Sequence, residues 1–170
     1  PEKLNFIAAT GHLDLSVTVG TVSTVITGTF GFERTTTTVN GAPNTPIIRV
    51  FAQDASTSLT IGAPADGVQV AFKQISGALL LKSGGAAGKL TIGQVSVTKA
   101  DGVTPLAGLE FGVTDLALRF NNTGGSVSTS LGVVSLDYTD SAQFNFMAIS
   151  GALDLNLNNF ITLSGRFGFE

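Results

Sequence analysis

The 170-residue chain has no cysteine and no tryptophan, and it has only one histidine, one tyrosine and one methionine. Without cysteine it can form neither a disulfide scaffold nor a thiolate metal site. A histidine-rich metal centre is excluded as well, and any Ser-His-Asp triad would have to be built around His12. These absences exclude a disulfide scaffold, thiolate metal sites and histidine-rich metal sites.

Charged residues are also scarce. Asp, Glu, Lys and Arg make up 12% of the chain, whereas about 25% is usual for a soluble domain. The net charge is −3 and the nine Lys and Arg residues are scattered, so we expect no nucleic-acid partner. No window approaches the roughly 18 consecutive apolar residues of a membrane helix, and we expect no membrane insertion. Because the chain begins with Pro1 and has no basic-then-apolar leader, we interpret it as a mature fragment or an excised segment.

The chain is rich in glycine, threonine, valine and serine, and its apolar residues recur with period two. This alternation predicts strands with one buried face, and no segment has the apolar spacing of a capped helix. The predicted strands are Leu4–Ala9, Gly11–Val19, Val22–Glu33, Ile47–Ala52, Ser56–Ile61, Val68–Lys82, Leu90–Lys99, Leu109–Asn121, Val127–Tyr138, Gln143–Leu157 and Phe160–Phe169. The turn signals between them lie at 40–44, 65–67, 83–85, 100–102 and 121–125. We expect Thr35–Pro46 to be an exposed excursion or a long connection.

One strand motif is written more than once. Residues 144–157, followed by Phe167–Glu170, match residues 4–17, which Phe30–Glu33 follow. Gln69–Leu81 is a third, partial copy and Leu109–Phe120 is a fainter fourth. Internal repetition of this kind predicts an architecture of related units.

The copies share a break in their alternation. In the third copy Val70 and Phe72 are in phase, and the apolar phase then slips by one residue to Ile75. Equivalent slips separate Val113 from Leu116, Phe146 from Ile149, and Phe6 from Ala9. A one-residue slip turns a strand inside out unless the backbone absorbs it, so we predict a bulge or corner at this place in each copy.

Candidate catalytic motifs have simpler structural interpretations. Gly84–Leu90 resembles a P-loop, but Leu90 stands where the magnesium-binding Ser or Thr would be, and we predict a hairpin turn. His12 is predicted to point outward from its strand. Asp14 and Asp154 occupy equivalent repeat positions, which favours a solvated face over the paired carboxylates of a glycosidase.

Two further motifs suggest ligands or modification. Asp54, Asp137 and Asp140 could offer oxygens to calcium, although no local ligand run is present and a turn is favoured. Asn121–Thr123 matches a glycosylation acceptor. We therefore assign no catalytic, cofactor-binding or metal-binding residue, and we expect no cofactor.

These patterns favour a single all-β repeat domain over 1–170. It would contain an N-terminal motif copy at 4–33, middle units at 47–121 and a C-terminal motif copy at 127–170. We predict an elongated repeat architecture of stacked, long, bent strands that is β-solenoid-like. A closed antiparallel β-sandwich is the alternative, because strands of ten or more residues are long for solenoid faces.

The segment Ser150–Leu157, with Phe160–Glu170 after it, resembles the tandem repeat of very long, Cys-free, adhesin-like bacterial secreted or surface proteins. The resemblance covers most of the chain. It implies a non-enzymatic extracellular or cell-surface module that acts as a stalk, an adhesin segment or a self-assembling fibre subunit. Neighbouring copies of the repeat, arranged head to tail, would be its partners.

Two other classes of function remain open at this point. A carbohydrate-binding β-domain would need an aromatic platform, for which Tyr138 is the candidate. An enzyme of unrecognised type would depend on His12.

Overall fold

The computed structural model describes residues 6–19, 22–39, 42–63 and 65–170. The described chain folds into ten strands and one short 3₁₀ turn, so the all-β prediction is confirmed. The strands are β1 Ile7–Val19, β2 Val22–Val39, β3 Ala42–Ile61, β4 Val68–Lys82, β5 Gly85–Lys99, β6 Leu109–Asn121, β7 Val127–Leu131, β8 Val134–Tyr138, β9 Phe146–Leu157 and β10 Ile161–Phe169. The 3₁₀ turn, Ser141–Gln143, lies between β8 and β9.

Eight of the strands form one antiparallel sheet in the order β1-β2-β3-β4-β5-β6-β9-β10, and β7 and β8 form a separate hairpin. A solenoid would need strands stacked in parallel from one coil to the next. Here every strand of the large sheet pairs antiparallel with its neighbours. Among the described residues there is therefore neither the predicted solenoid nor a closed sandwich.

The prediction for Thr35–Pro46 is wrong, because these residues belong to β2 and β3. A run of β-branched threonines suits an extended strand better than a loop. The turn residues Asn40 and Gly41, like residues 4 and 5 of the first motif copy, lie outside the described residues.

The sheet has one apolar and one polar face, because directly paired residues share a face and successive residues alternate. One ladder of paired residues on the apolar face runs Ala9, Phe32, Val50, Leu79, Gly88, Phe120 and Met147. A second ladder on this face, nearer the other end of the strands, runs Thr57, Phe72, Val95, Val113, Leu153 and Gly165. The polar face carries mainly hydroxyl, amide and carboxylate side chains.

A line of irregular backbone crosses the middle of the sheet. Asp54, Gln74 and Asp115 have positive φ angles of 50°, 56° and 52°, and they lie in β3, β4 and β6. Gly93 of β5 lies between Gln74 and Asp115 in this line. The residues before and after Gly93 pair with residues next to Gln74 in β4 and next to Asp115 in β6. Each left-handed residue shifts the alternation by one, so the apolar side chains before and after it stay on the same face.

The predicted bulge is therefore confirmed in two of the four copies. Gln74 lies between Phe72 and Ile75, and Asp115 lies between Val113 and Leu116. In β1 the register with β2 is uninterrupted, and the shift between β6 and β9 arises from the extra residue in β6. The prediction is wrong for these two strands.

The β7–β8 hairpin covers one part of the polar face. Its buried residues pack on an apolar patch of β4 and β5, flanked by Ile47, Phe51 and Phe146. The shared core consists of Ala78, Leu80, Ala87, Val127, Leu131, Val134, Leu136 and Tyr138. Phe146 faces this hairpin, with its ring 5.1 Å from that of Tyr138, which explains its apparent slip relative to Ile149.

No comparable layer covers the apolar face in the described part of the chain. The protein exposes 10577 Å² of accessible surface for a mass of 17.4 kDa. A compact monomer of that mass is expected to expose only about 7,900 Å². The excess is the surface of an open sheet.

Candidate functional surface

The two terminal hairpins of the large sheet are structural copies of each other. In the β1–β2 hairpin, Gly11 pairs with Phe30 and Leu15 pairs with Ile26. The equivalent pairs in the β9–β10 hairpin are Gly151 with Phe167 and Leu155 with Leu163. The repetition seen in the sequence therefore extends to strand pairing and register.

The copies also share a hydrogen bond between their strands. Thr27 Oγ1 donates to Asp14 Oδ1 at 2.7 Å, and Ser164 Oγ donates to Asp154 Oδ1 at 2.5 Å. Each carboxylate is exposed and occupies the same place in its hairpin. Asp14 and Asp154 thus tie neighbouring strands together.

The hairpins differ in what lies on their outer side. The outer edge of β2 pairs with β3, whereas β10 is an edge strand of the described sheet. The other edge strand is β1, whose copy β9 pairs with β6 on the corresponding side. Edge strands present unpaired backbone groups and are templates for another strand.

In addition to the backbone pairing of β2 with β3, two side-chain contacts join Phe30–Glu33 to β3. The ring of Phe51 lies over Gly31, where an added Cβ atom would come within 1.9 Å of the ring. Arg49 Nη1 donates to Glu33 Oε1 at 2.9 Å in a half-buried ion pair. Both belong to the Phe-Gly-Phe-Glu sequence that closes the first motif copy, and both depend on the partner strand.

The equivalent residues of β10 have no such partner in the described chain. A Cβ atom added to Gly168 would have its nearest neighbours at 3.9 Å, on the β9 side. Glu170 is exposed and takes part in none of the ion pairs or side-chain hydrogen bonds of the described residues. The second copy therefore keeps the contact residues of β2 without the strand that they contact.

The apolar face adds a second exposed surface at this edge. Phe169 and Met147 are each 68% exposed, and Leu163 is 53% exposed. Phe32 and Ile7 at the opposite side of the sheet are also exposed. Contiguous apolar surface of this extent is typical of a protein–protein interface.

The structure also places the residues considered for catalysis. His12 is exposed on the polar face and pairs with Thr29. Asp14 and Asp154 lie six strand spacings apart in the sheet, about 29 Å at roughly 4.8 Å per strand. Paired glycosidase carboxylates are about 5–9.5 Å apart, so these two cannot share a substrate bond.

Tyr138 is not an exposed aromatic platform. Its side chain is 3% exposed, and its hydroxyl donates to the Gly88 carbonyl at 2.6 Å. Burial raises the pKa of the phenol above its ordinary value of 10.0. The residue attaches the β7–β8 hairpin to β5, which removes it as the sugar-stacking residue of a carbohydrate site.

Asn121 is equally unsuited to be a glycosylation acceptor. It is completely buried, its amide nitrogen donates to the carbonyls of Gly125 and Gln143, and its oxygen accepts from Thr123. All the hydrogen-bonding capacity of this amide is used inside the fold. The acceptor triplet is a structural turn.

The acidic residues considered for calcium lie in separate local structures. Asp140 caps the 3₁₀ turn, where its Oδ1 accepts from the Ala142 amide at 2.9 Å. Asp54 is the left-handed residue of the β3 bulge, and Asp137 is exposed on β8. Within the described ranges, no three Asp, Glu, His or Cys side chains are grouped as metal ligands would be.

The predicted hairpin turn between β4 and β5 is confirmed at Ser83 and Gly84, and Gly85–Leu90 belongs to β5. At the opposite end of β4 and β5, the polar face has an open groove of about 470 Å³, whose lining includes Thr27, Ser56, Lys73 and Asp101. The hydroxyl of Thr104, with the amides of Thr104 and Val103, lowers the pKa of Asp101 to about 2. This carboxylate therefore organises its own turn and is no proton-transfer group near neutral pH.

In the part of the chain that the structure describes, no helix is long and apolar enough to cross a membrane. Comparison with known protein families, characterised proteins and solved structures finds no significant match to this chain. The repeated hairpins and the exposed sheet are therefore the features that indicate a function.

Sequence reasoning found the repeat but missed its contacts. The Gly31–Phe51 and Glu33–Arg49 pairs join residues 16–20 positions apart, and their meeting depends on the register of β2 with β3. The repeated Phe-Gly-Phe-Glu was a signal that these positions matter. Their partners could be identified only once strand pairing was known.

Proposed function

We propose that this chain is a non-enzymatic structural module of a bacterial extracellular or cell-surface repeat protein, working as a stalk, an adhesin segment or a self-assembling fibre subunit. One observation carries the proposal: two copies of the same hairpin lie at opposite sides of a single sheet. A sheet that repeats its own edge structure can be continued by further units of the same kind.

The uncovered apolar face supports assembly. Its large side chains come from all eight strands, and several are exposed in the single chain. Burying apolar surface stabilises an assembly by about 25 cal/mol per Å². Contact between identical units through different surfaces gives open filaments unless the rotation closes a ring.

The extracellular location is supported by the resemblance to surface repeat proteins. Antibody labelling of intact source cells, compared with lysed cells, tests it. Labelling that requires lysis would contradict the proposed location.

Sedimentation velocity over a wide concentration range, with negative-stain microscopy, tests assembly. We expect elongated oligomers at high concentration, and we expect Leu163→Lys to reduce them because it places a charge on the apolar face. Thr162→Lys, on the polar face of the same strand, is the matched control and should assemble normally. A compact monomer at every concentration would contradict self-assembly.

A further inference from the structure

We propose that the outer edge of β10 is a docking site for strand β3 of a second copy of this unit, in the register that β3 adopts on β2. This inference deepens the proposed function, since it assumes that copies meet, and it adds which strands meet and how. In the joined sheet, the β9–β10 hairpin of one copy takes the place of the β1–β2 hairpin of the next.

The register follows from the duplicated hairpins. Because Phe30 and Phe167 hold equivalent positions, so do Gly31 and Gly168, and Glu33 and Glu170. Gly31 pairs with Phe51 and Glu33 pairs with Arg49. The incoming strand would therefore place Phe51 opposite Gly168 and Arg49 opposite Glu170.

The aromatic contact has a free site on β10. Phe51 needs a residue without a Cβ atom below its ring, because an added Cβ on Gly31 would lie 1.9 Å from the ring. Gly168 supplies that residue, and its outer side has no atom within 3.9 Å of an added Cβ. A glycine in an edge strand without a packing role costs strand stability, which makes its presence there informative.

Charge complementarity gives the second, independent contact. In the occupied copy Arg49 and Glu33 form a half-buried ion pair at 2.9 Å. Glu170 occupies the equivalent place and has no cationic partner in the described residues. The guanidinium of Arg49 from a second copy would complete the pair.

The apolar face continues across the same junction. Phe169 would lie opposite Val50 and Phe167 opposite Ala52, as Phe32 and Phe30 do in the occupied copy. The exposed ring of Phe169 would gain an apolar neighbour on the same face. Backbone pairing, the contact of Phe51 with Gly168 and the ion pair of Arg49 with Glu170 would therefore all form in the same register.

The test extends the whole chain with a second copy of residues 34–170 placed directly after Glu170. Hydrogen exchange is then measured on the amides of β10. We expect the β10 amides that point away from β9 to exchange at least about tenfold more slowly than in the single chain, because pairing removes them from an open edge. Exchange at the single-chain rate would overturn the proposal.

Charge exchange tests the register. Glu170→Arg in the extended chain should remove a large part of the added protection, and Arg49→Glu in the second copy should restore it. Asp137→Arg, on the outward face of β8, is the matched charge control and should have no effect. Hydrogen-exchange protection of β10 that is the same in all of these charge variants would overturn the proposed register.

Hydrogen exchange measured on the single chain distinguishes this inference from the proposed function. Glu170→Arg should leave its β10 exchange unchanged at low concentration. Protection of β10 that grows with single-chain concentration, while β2 stays protected on β3, would show pairing with another edge strand, β1 or β10, and would overturn β3 as the occupant. Assembly by sedimentation with an unprotected β10 in the extended chain would leave the structural function standing and remove only this inference.

Discussion

The β1–β2 and β9–β10 hairpins have the same strand pairs and the same carboxylate–hydroxyl hydrogen bond. They differ at their second strand, because β2 pairs with β3 on its outer side, whereas β10 has no outer neighbour among the described residues. In the first hairpin Gly31 and Glu33 contact Phe51 and Arg49. In the second hairpin, the equivalent residues Gly168 and Glu170 make no such contacts within the described chain. The comparison shows that the Phe-Gly-Phe-Glu sequence specifies an outer contact, beyond what the hairpin itself requires.

The strongest test of this difference substitutes the two equivalent glycines. Gly31→Val should lower the free energy of unfolding by about 2–3 kcal/mol or more, because its Cβ cannot fit under the Phe51 ring. Gly168→Val should change stability by no more than about 0.5 kcal/mol, as is usual for open surface positions. Urea unfolding measures both.

A second substitution checks the cause. Phe51→Ala should make the additional effect of Gly31→Val small, because the ring that the valine meets is absent. Equal costs for the two glycine substitutions in the natural background would contradict the comparison.

The β7–β8 hairpin lies above the contact between Phe51 and Gly31. The β7–β8 turn holds Phe51 from its other side, since a Cβ added to Gly132 would lie 2.8 Å from the ring. Tyr138→Phe should cost about 1–2 kcal/mol, because it leaves the Gly88 carbonyl without its buried donor. Urea unfolding at pH 7 checks this value.

The same tyrosine gives a pH dependence. Because burial raises its pKa above 10.0 in the folded protein, the folded state holds the phenol proton more tightly than the unfolded chain does. This contribution is complete below pH 10 and is lost as the pH rises through the folded pKa. Tyr138→Phe should flatten the fall in stability above pH 10, and an unchanged slope would contradict the assignment.

A smaller difference is expected between the two glutamates. Glu33→Gln should cost about 0.5–1 kcal/mol at low salt, because it breaks a half-buried ion pair with Arg49. Glu170→Gln should have no measurable effect in the single chain. Unfolding curves at low and high salt check both values, and a salt-dependent loss for Glu170→Gln would show an unrecognised partner.

The smallest effect should be the same in both hairpins. Asp14→Asn and Asp154→Asn each weaken one exposed hydrogen bond between strands, and each should cost a few tenths of a kcal/mol. Thermal unfolding of the two variants makes the comparison. Markedly unequal losses would contradict the structural equivalence of the hairpins.

Local features of the fold were predictable from the sequence. β6 has the predicted bounds, and the bulges at Gln74 and Asp115 follow from slips in the apolar pattern. The apparent slip at Phe146 had another cause, because that ring faces the β7–β8 hairpin on the other side of the sheet. Periodicity alone cannot distinguish a bulge from a residue buried on the opposite face.

The long-range organisation was not predictable in the same way. The threonine run of β2 and the prolines of β3 suggested a loop, yet their strands pair through most of their length. The sequence suggested Tyr138 as an exposed aromatic platform. It is buried instead, because β8 lies over β5, and that placement is not visible in the sequence. Both outcomes are decided by contacts between segments distant in sequence.

The most direct test measures the cost of Gly168→Val in two contexts: the single chain and the chain extended by a second copy of residues 34–170. The account predicts that this substitution is tolerated in the single chain and costs about 1–3 kcal/mol in the extended chain, where Phe51 of the second copy would need the space. An equal, small effect in both contexts would contradict the claim that the second hairpin is an open copy of the first.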